Sequence, residues 1–205
     1  MPERPAYLRL SQAGANELKV AYDAPAAASC IAASLRAWLG ELGGPRSELV
    51  VLCIGTDRST GDALGPLVGT FLTEAKPPGL HVCGTLDQPV HAANLDEAVA
   101  SLAARPTTPV IAAVDACLGR VDSVGTVTVG RGFLRPGAGV NKNLPAVGDV
   151  YLTGVVNVGG FMEYFVLQNT RLNLVVKMAR VIAEAIREAA AGLDPPRGER
   201  WEARP

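Results

Sequence analysis

Five short apolar runs, set between helical and turn-rich stretches, constrain this chain more than any other feature of its sequence. Residues 49–54 (LVVLCI) and 110–114 (VIAAV) are unbroken apolar segments, the pattern of strands buried on both faces. Residues 80–83, 124–129 and 150–158 read as three further strands. Between them, residues 25–42 form an alanine-rich helical stretch opened by Pro25 and closed by Gly43-Gly44-Pro45. Residues 63–74 follow Asp62 as a second helix, and residues 94–104 form a third with Asn94 in the capping position. A long last helix is expected over residues 160–191, where Leu167, Leu174, Met178, Ile182 and Ile186 make one apolar stripe. Buried strands alternating with helices predict an α/β chain, a three-layer α/β/α sandwich on a mostly parallel sheet.

The rest of the chain is organised around that unit. Residues 1–24, with short alternating stretches on either side of a turn-prone 14–16, read as an N-terminal arm or hairpin. Residues 25–192 make a single domain, and residues 193–205 (LDPPRGERWEARP) a mobile tail. No apolar run reaches the roughly 20 residues that cross a bilayer, and the first ten residues carry charges and prolines where a signal peptide has an apolar core. A cytoplasmic protein without membrane attachment is expected. Nineteen Lys and Arg against twenty Asp and Glu leave a net charge of −1, with nothing basic left over to displace the counterions of a nucleic acid. Aromatics at 5% offer little base stacking either. The four cysteines, Cys30, Cys53, Cys83 and Cys117, form no CxxC pair, so buried thiols are expected rather than disulfides or a zinc site.

In open parallel sheets the ligand crevice lies beyond the carboxyl ends of the strands. Two aspartates fall there. Asp62 closes the loop of residues 55–61 after the 49–54 strand, and Asp115 directly follows the 110–114 strand. Brought to one edge, two carboxylates share a proton and titrate apart, which supplies a base to activate water and an acid to protonate a leaving group. Asp62 also suits a helix cap and Asp115 a turn. Asp57, Arg58 and His91 are further candidates for substrate contacts, as are Asn141 and Lys142 in the Gly/Pro-rich loop 132–149 that also carries Arg135. Asn157 and Glu163 flank the Gly159-Gly160 junction; Glu163 is a third acid for the site or a first-turn partner of the helix dipole. Neither GxGxxG nor GxxxxGK[ST] occurs, and without a GxSxG elbow a Ser59–His91–Asp115 triad has little to favour it over a chance grouping, as has a Cys117–His91 pair. No cofactor is expected. The alternative is one divalent metal ion held loosely by Asp62 and Asp115.

The segments GTDRSTGDALGPLVG, GTLDQPVHAANL, DACLG, RPGAGVNKNLPAVGD and NVGGFMEYFVLQNTRL together resemble the sporulation-associated YyaC family of spore proteases, over about residues 46–188. That family is similar to the germination protease and, more distantly, to the hydrogenase-maturation endopeptidases. The resemblance implies a phosphorylase/hydrolase-like fold and an aspartate-dependent endopeptidase of sporulation. Its catalytic pair falls on Asp62 in GDALGP and Asp115 in VDACLG, and its glycine-rich loop on residues 136–142. In the maturation endopeptidases the matching carboxylates bind the substrate's nickel with a histidine, for which this chain shows no counterpart. A protein or peptide substrate is expected, in the cytoplasm of the sporulating cell or spore. A non-catalytic peptide- or metal-binding module and a metal-dependent maturation endopeptidase are the alternatives, and the long apolar helix is compatible with a homo-oligomer.

Overall fold

The computed structural model of the 205-residue chain describes residues 16–43, 48–75, 77, 79–105, 109–137 and 144–191. In chain order the elements are β1 (Glu17–Ala21), α1 (Ala27–Gly43), β2 (Leu49–Cys53), α2 (Leu64–Ala75), β3 (Leu80–Cys83) and α3 (Leu95–Ala103). They are followed by β4 (Val110–Gly119), β5 (Thr126–Arg131), β6 (Val150–Val158), α4 (Glu163–Gln168) and α5 (Leu172–Ala190). The sheet order is β1-β5-β6-β4-β2-β3. Strands β6, β4, β2 and β3 run parallel, β5 is antiparallel to β6, and β1 is antiparallel to β5.

The two-residue alternation of the strands divides the core into two layers. Leu49, Val51 and Cys53 of β2, with Val110, Ala112 and Val114 of β4, pack into one cluster with Ile31 and Leu35 of α1, Leu64 and Val68 of α2, and Met178, Ile182 and Ile186 of α5. Val50, Leu52 and Ala113 face the other way, against Leu95 and Leu102 of α3 and Val147. Helices therefore cover both faces of a mixed, mostly parallel sheet, the expected α/β/α sandwich. Each fully buried Leu or Ile in these layers stabilises the fold by about 1.5–3 kcal/mol.

Three local readings are corrected by the structure. First, β4 does not stop at Val114. It runs ten residues to Gly119, because β6 continues to offer it ladder partners where β2 has ended: Asp115 pairs with Thr153 and Cys117 with Val155. Asp115 is thus a strand residue and not a turn residue. Second, the long helix expected over 160–191 is two helices. The Leu167 carbonyl accepts a hydrogen bond from the Gly61 N–H (2.9 Å), and the Thr170 hydroxyl donates back to the Val166 carbonyl, so the chain turns at 169–171 before α5 begins. Third, Asn94 stands at the start of α3, but its side chain reaches backwards: Oδ1 accepts from the His91 N–H and Nδ2 donates to the Pro89 carbonyl.

Residues 17–21 form the outer strand of the main sheet, in register with 126–130 of β5. The remainder of the N-terminal arm (1–15) and the tail from 192 lie outside the described residues, as do Asn141 and Lys142.

Candidate active site

Asp62 is positioned by the loop between β2 and α2. Gly55 holds φ +145°, and a side chain there would meet the Asp62 carbonyl oxygen at 1.9 Å, so only glycine lets the loop fold back this closely. The Thr56 N–H donates to that same carbonyl, the Ala63 N–H to Ser59, and the Gly61 N–H to Leu167. The loop is therefore fixed at both ends, by α2 and by the junction of α4 with α5. α2 begins at Leu64, so Asp62 stands two residues before its first turn.

Asp115 lies at the base of a cleft of about 220 Å³ whose lining includes Asp62, Thr153, Arg135, Glu163 and Leu167. Surrounding protein strips most of the water from both carboxyls, although each keeps a solvent-reachable surface. Burial pushes Asp115 up to about 8. The Ala116 N–H, bonded to Oδ1 at 2.9 Å, opposes the shift, and the nearby Asp62 charge adds to it. Burial also raises Asp62 above the usual carboxylate range. The Ser59 hydroxyl beside it pulls the other way, yet Ser59 Oγ, on a residue only 5% exposed, has no partner of good hydrogen-bond geometry. Burial thus favours the neutral form of both carboxyls, and a charge on Asp62 makes Asp115 still harder to ionise.

Of the candidates among the described residues, the structure brings Asp62, Asp115, Glu163 and Arg135 into one cleft and leaves Asp57, Arg58, His91 and Asn157 outside its lining. Glu163 Oε1 also accepts the Gly160 N–H at 3.1 Å, the reach-back of a first-turn glutamate. Asp57 and Arg58 are exposed on the 55–61 loop and do not line the cleft. His91 sits in the turn before α3, where its Nδ1 accepts the Ala93 N–H, and it does not line the cleft. The Asn157 amide donates to the Val166 carbonyl and to Thr170 Oγ1 (both 3.3 Å), tying β6 to α4, so it holds structure and is not aimed at the cleft.

Thr153 is the polar addition. It pairs with Asp115 across the sheet and holds a hydrogen bond with Cys117, and its place in the site follows from register alone. The guanidinium of Arg135, the loop residue that does line the cleft, lies 5.7 Å over the Phe133 ring. Among the described residues no three His, Cys, Asp or Glu side chains group closely enough to hold a metal ion. Asp62 and Asp115 supply two carboxylates, and Glu163, although it lines the same cleft, does not group closely enough with them to complete a set of three. No helix among the described residues is long and apolar enough to cross a membrane.

Residues 19–185 match the family described as protein of unknown function (DUF1256), and the chain belongs to that family. It is 59% identical over 138 residues to the protein named "Uncharacterized protein YyaC" of Bacillus subtilis (strain 168), a stretch covering 67% of each chain. Among solved structures it is similar to the [NiFe] hydrogenase maturation protease HycI from Thermococcus kodakarensis KOD1, with a TM-score of 0.46 and 19% identity over 74% of this chain and 97% of that one.

Proposed function

We propose that the protein is an aspartate-dependent endopeptidase of the cytoplasm of the sporulating cell or spore, working without a metal ion or other cofactor. One observation carries this reading: Asp62 and Asp115 line a single cleft whose burial favours the neutral form of Asp115. The motif resemblance at Asp62 and Asp115 supports the same pair. In this reading Asp62 takes a proton from a water molecule as its oxygen bonds to the scissile carbonyl carbon, while Asp115 donates its proton to the carbonyl oxygen. The tetrahedral intermediate then collapses: the C–N bond breaks, the proton held by Asp62 passes to the departing amine, and the hydroxyl proton returns to Asp115. Water is added across the peptide bond and both carboxyls end as they began.

The titrations set the pH dependence. Activity needs Asp115 protonated and Asp62 ionised, so kcat/KM should be bell-shaped. Its alkaline limb should fall near pH 8, and its acid limb should lie above the ordinary carboxylate value of about 4. A profile flat from pH 5 to 9 would remove the shared proton from the mechanism.

The direct test is peptide mapping by mass spectrometry of a spore-protein extract incubated with the protein, beside Asp62→Asn and Asp115→Asn, with and without chelator. New termini that vanish in both variants and survive chelation are expected. Termini that persist in the variants, depend on metal, or never form overturn the proposal.

A further inference from the structure

We propose that a groove beside α4 receives a bulky apolar side chain of the peptide held at Asp62 and Asp115, which makes substrates with such a residue near the scissile bond the preferred class. This rests on the peptidase reading of the neighbouring cleft. Exposed apolar side chains scattered singly are ordinary. Here they are gathered: Phe161 (89% exposed), Met162 (52%), Tyr164 (60%), Phe165 (53%) and Leu172 (57%) fall within twelve residues of sequence. Phe161, Met162, Phe165 and Val166 wall a groove of about 460 Å³, room for an aromatic or long aliphatic side chain.

The occupant is argued from charge and continuity. Among the described residues, no ionisable side chain lines the groove. Its two polar side chains are already engaged within the protein, Asn157 with the Val166 carbonyl and Thr170 and Asn169 with the Phe165 carbonyl, so the groove presents apolar area to a neutral group. The same six-residue α4 that walls the groove sends Glu163 and Leu167 into the lining of the aspartate cleft. The cleft and the groove lie against different sides of this helix, and an extended chain at about 3.3 Å per residue covers the roughly 10 Å width of a helix in about three residues, so a side chain near the scissile bond is within reach of the groove. An apolar side chain near the cleaved bond then loses its water against Phe161 and Phe165.

Methionine-methyl NMR tests this independently of hydrolysis. Met162 lines the groove, while Met178 is fully buried in the core and serves as an internal control. In Asp115→Asn protein, N-acetyl-phenylalaninamide and N-acetyl-leucinamide should shift the Met162 methyl and leave Met178 unmoved. N-acetyl-alaninamide should bind at least about tenfold more weakly. Phe165→Ser, at an exposed position, should abolish the response. In the cleavage map, bulky apolar residues should recur at one fixed distance from the new termini and lose that enrichment in Phe165→Ser. Equal response to the alanine and phenylalanine amides, or no response, overturns the groove as an apolar subsite. A Met162 signal that moves with protein concentration instead assigns the surface to a second copy of the chain and equally overturns it. Met162 shifts without any cleavage would leave the groove standing and remove the peptidase reading.

Discussion

Asp115→Asn should abolish hydrolysis and at the same time raise the melting temperature at pH 8. Most substitutions at a largely buried position lower stability, so the two effects together are diagnostic. In the folded protein Asp115 keeps its proton up to about 8, whereas in the unfolded chain it ionises near the ordinary 3.8. Between those values the folded state binds more protons than the unfolded state, so stability falls as pH rises through that window. Below pH 4 both states are protonated and the penalty is absent. Asparagine is always neutral, and its side-chain oxygen can still accept the Ala116 N–H that Oδ1 accepts now. The full shift corresponds to an upper limit of about 5 kcal/mol. Because the cleft admits water, a gain on the order of 2 kcal/mol is expected at pH 8, or roughly 4–8 °C for a domain of this size. Loss of a general acid should lower the rate about 100- to 10,000-fold. Thermal melts of both proteins from pH 4 to pH 8 check the first half: the curves should meet at pH 4 and diverge upward. A variant that melts lower than the parent at every pH would mark Asp115 as a structural carboxylate and sink the argument.

The same residue explains why part of the fold was readable in the sequence and part was not. β2 nearly keeps its expected bounds because it is apolar on both faces: all five of its residues are buried, and the expectation overran it only by Ile54. In β4 the apolar run ends at Val114 while the strand goes on to Gly119, since the site itself is built into its second half. A polar carboxyl, Asp115, interrupts the apolar pattern that would have announced a longer strand. The division of the last helix was equally hidden, since neither glycine nor proline marks 169–171. Its cause is a contact more than a hundred residues away in sequence, the Gly61 N–H on the Leu167 carbonyl. Within the site, an aspartate abutting a buried strand is a strong local signal, and it pointed to Asp62 and Asp115. No local rule says which way a loop side chain points, hence Asp57, Arg58 and His91 sat as plausibly in the sequence as Glu163. Thr153 needed the register of β4 on β6 before it had any claim.

A second large effect is expected from a single methyl group. In Gly65→Ala the new Cβ would lie 2.1 Å from the carbonyl oxygen of Ile54 and 2.8 Å from its carbonyl carbon and its nitrogen. These are backbone atoms at the end of β2, fixed by the bond from the Ile54 N–H to the Val114 carbonyl, so no side chain can swing aside to make room. Alanine is the better helix former by about 1 kcal/mol, and that preference loses to the overlap. The first turn of α2 must move off the sheet, loosening Leu64 and Val68 from the core and carrying Asp62 away from Asp115. A loss of about 3 kcal/mol is expected, seen as a melting temperature roughly 6–12 °C lower. If the protein cleaves peptides as proposed, a displacement of about 1 Å at Asp62 should lower kcat about 100-fold more than it raises KM. Gly40→Ala is the matched control, since Gly40 lies in α1 with nothing within 4 Å of the added carbon. There the helix preference acts alone, and a gain of about 0.5–1 kcal/mol should follow. Should the two substitutions shift stability in the same direction, the close approach of α2 to β2 could not be what holds Asp62 in place.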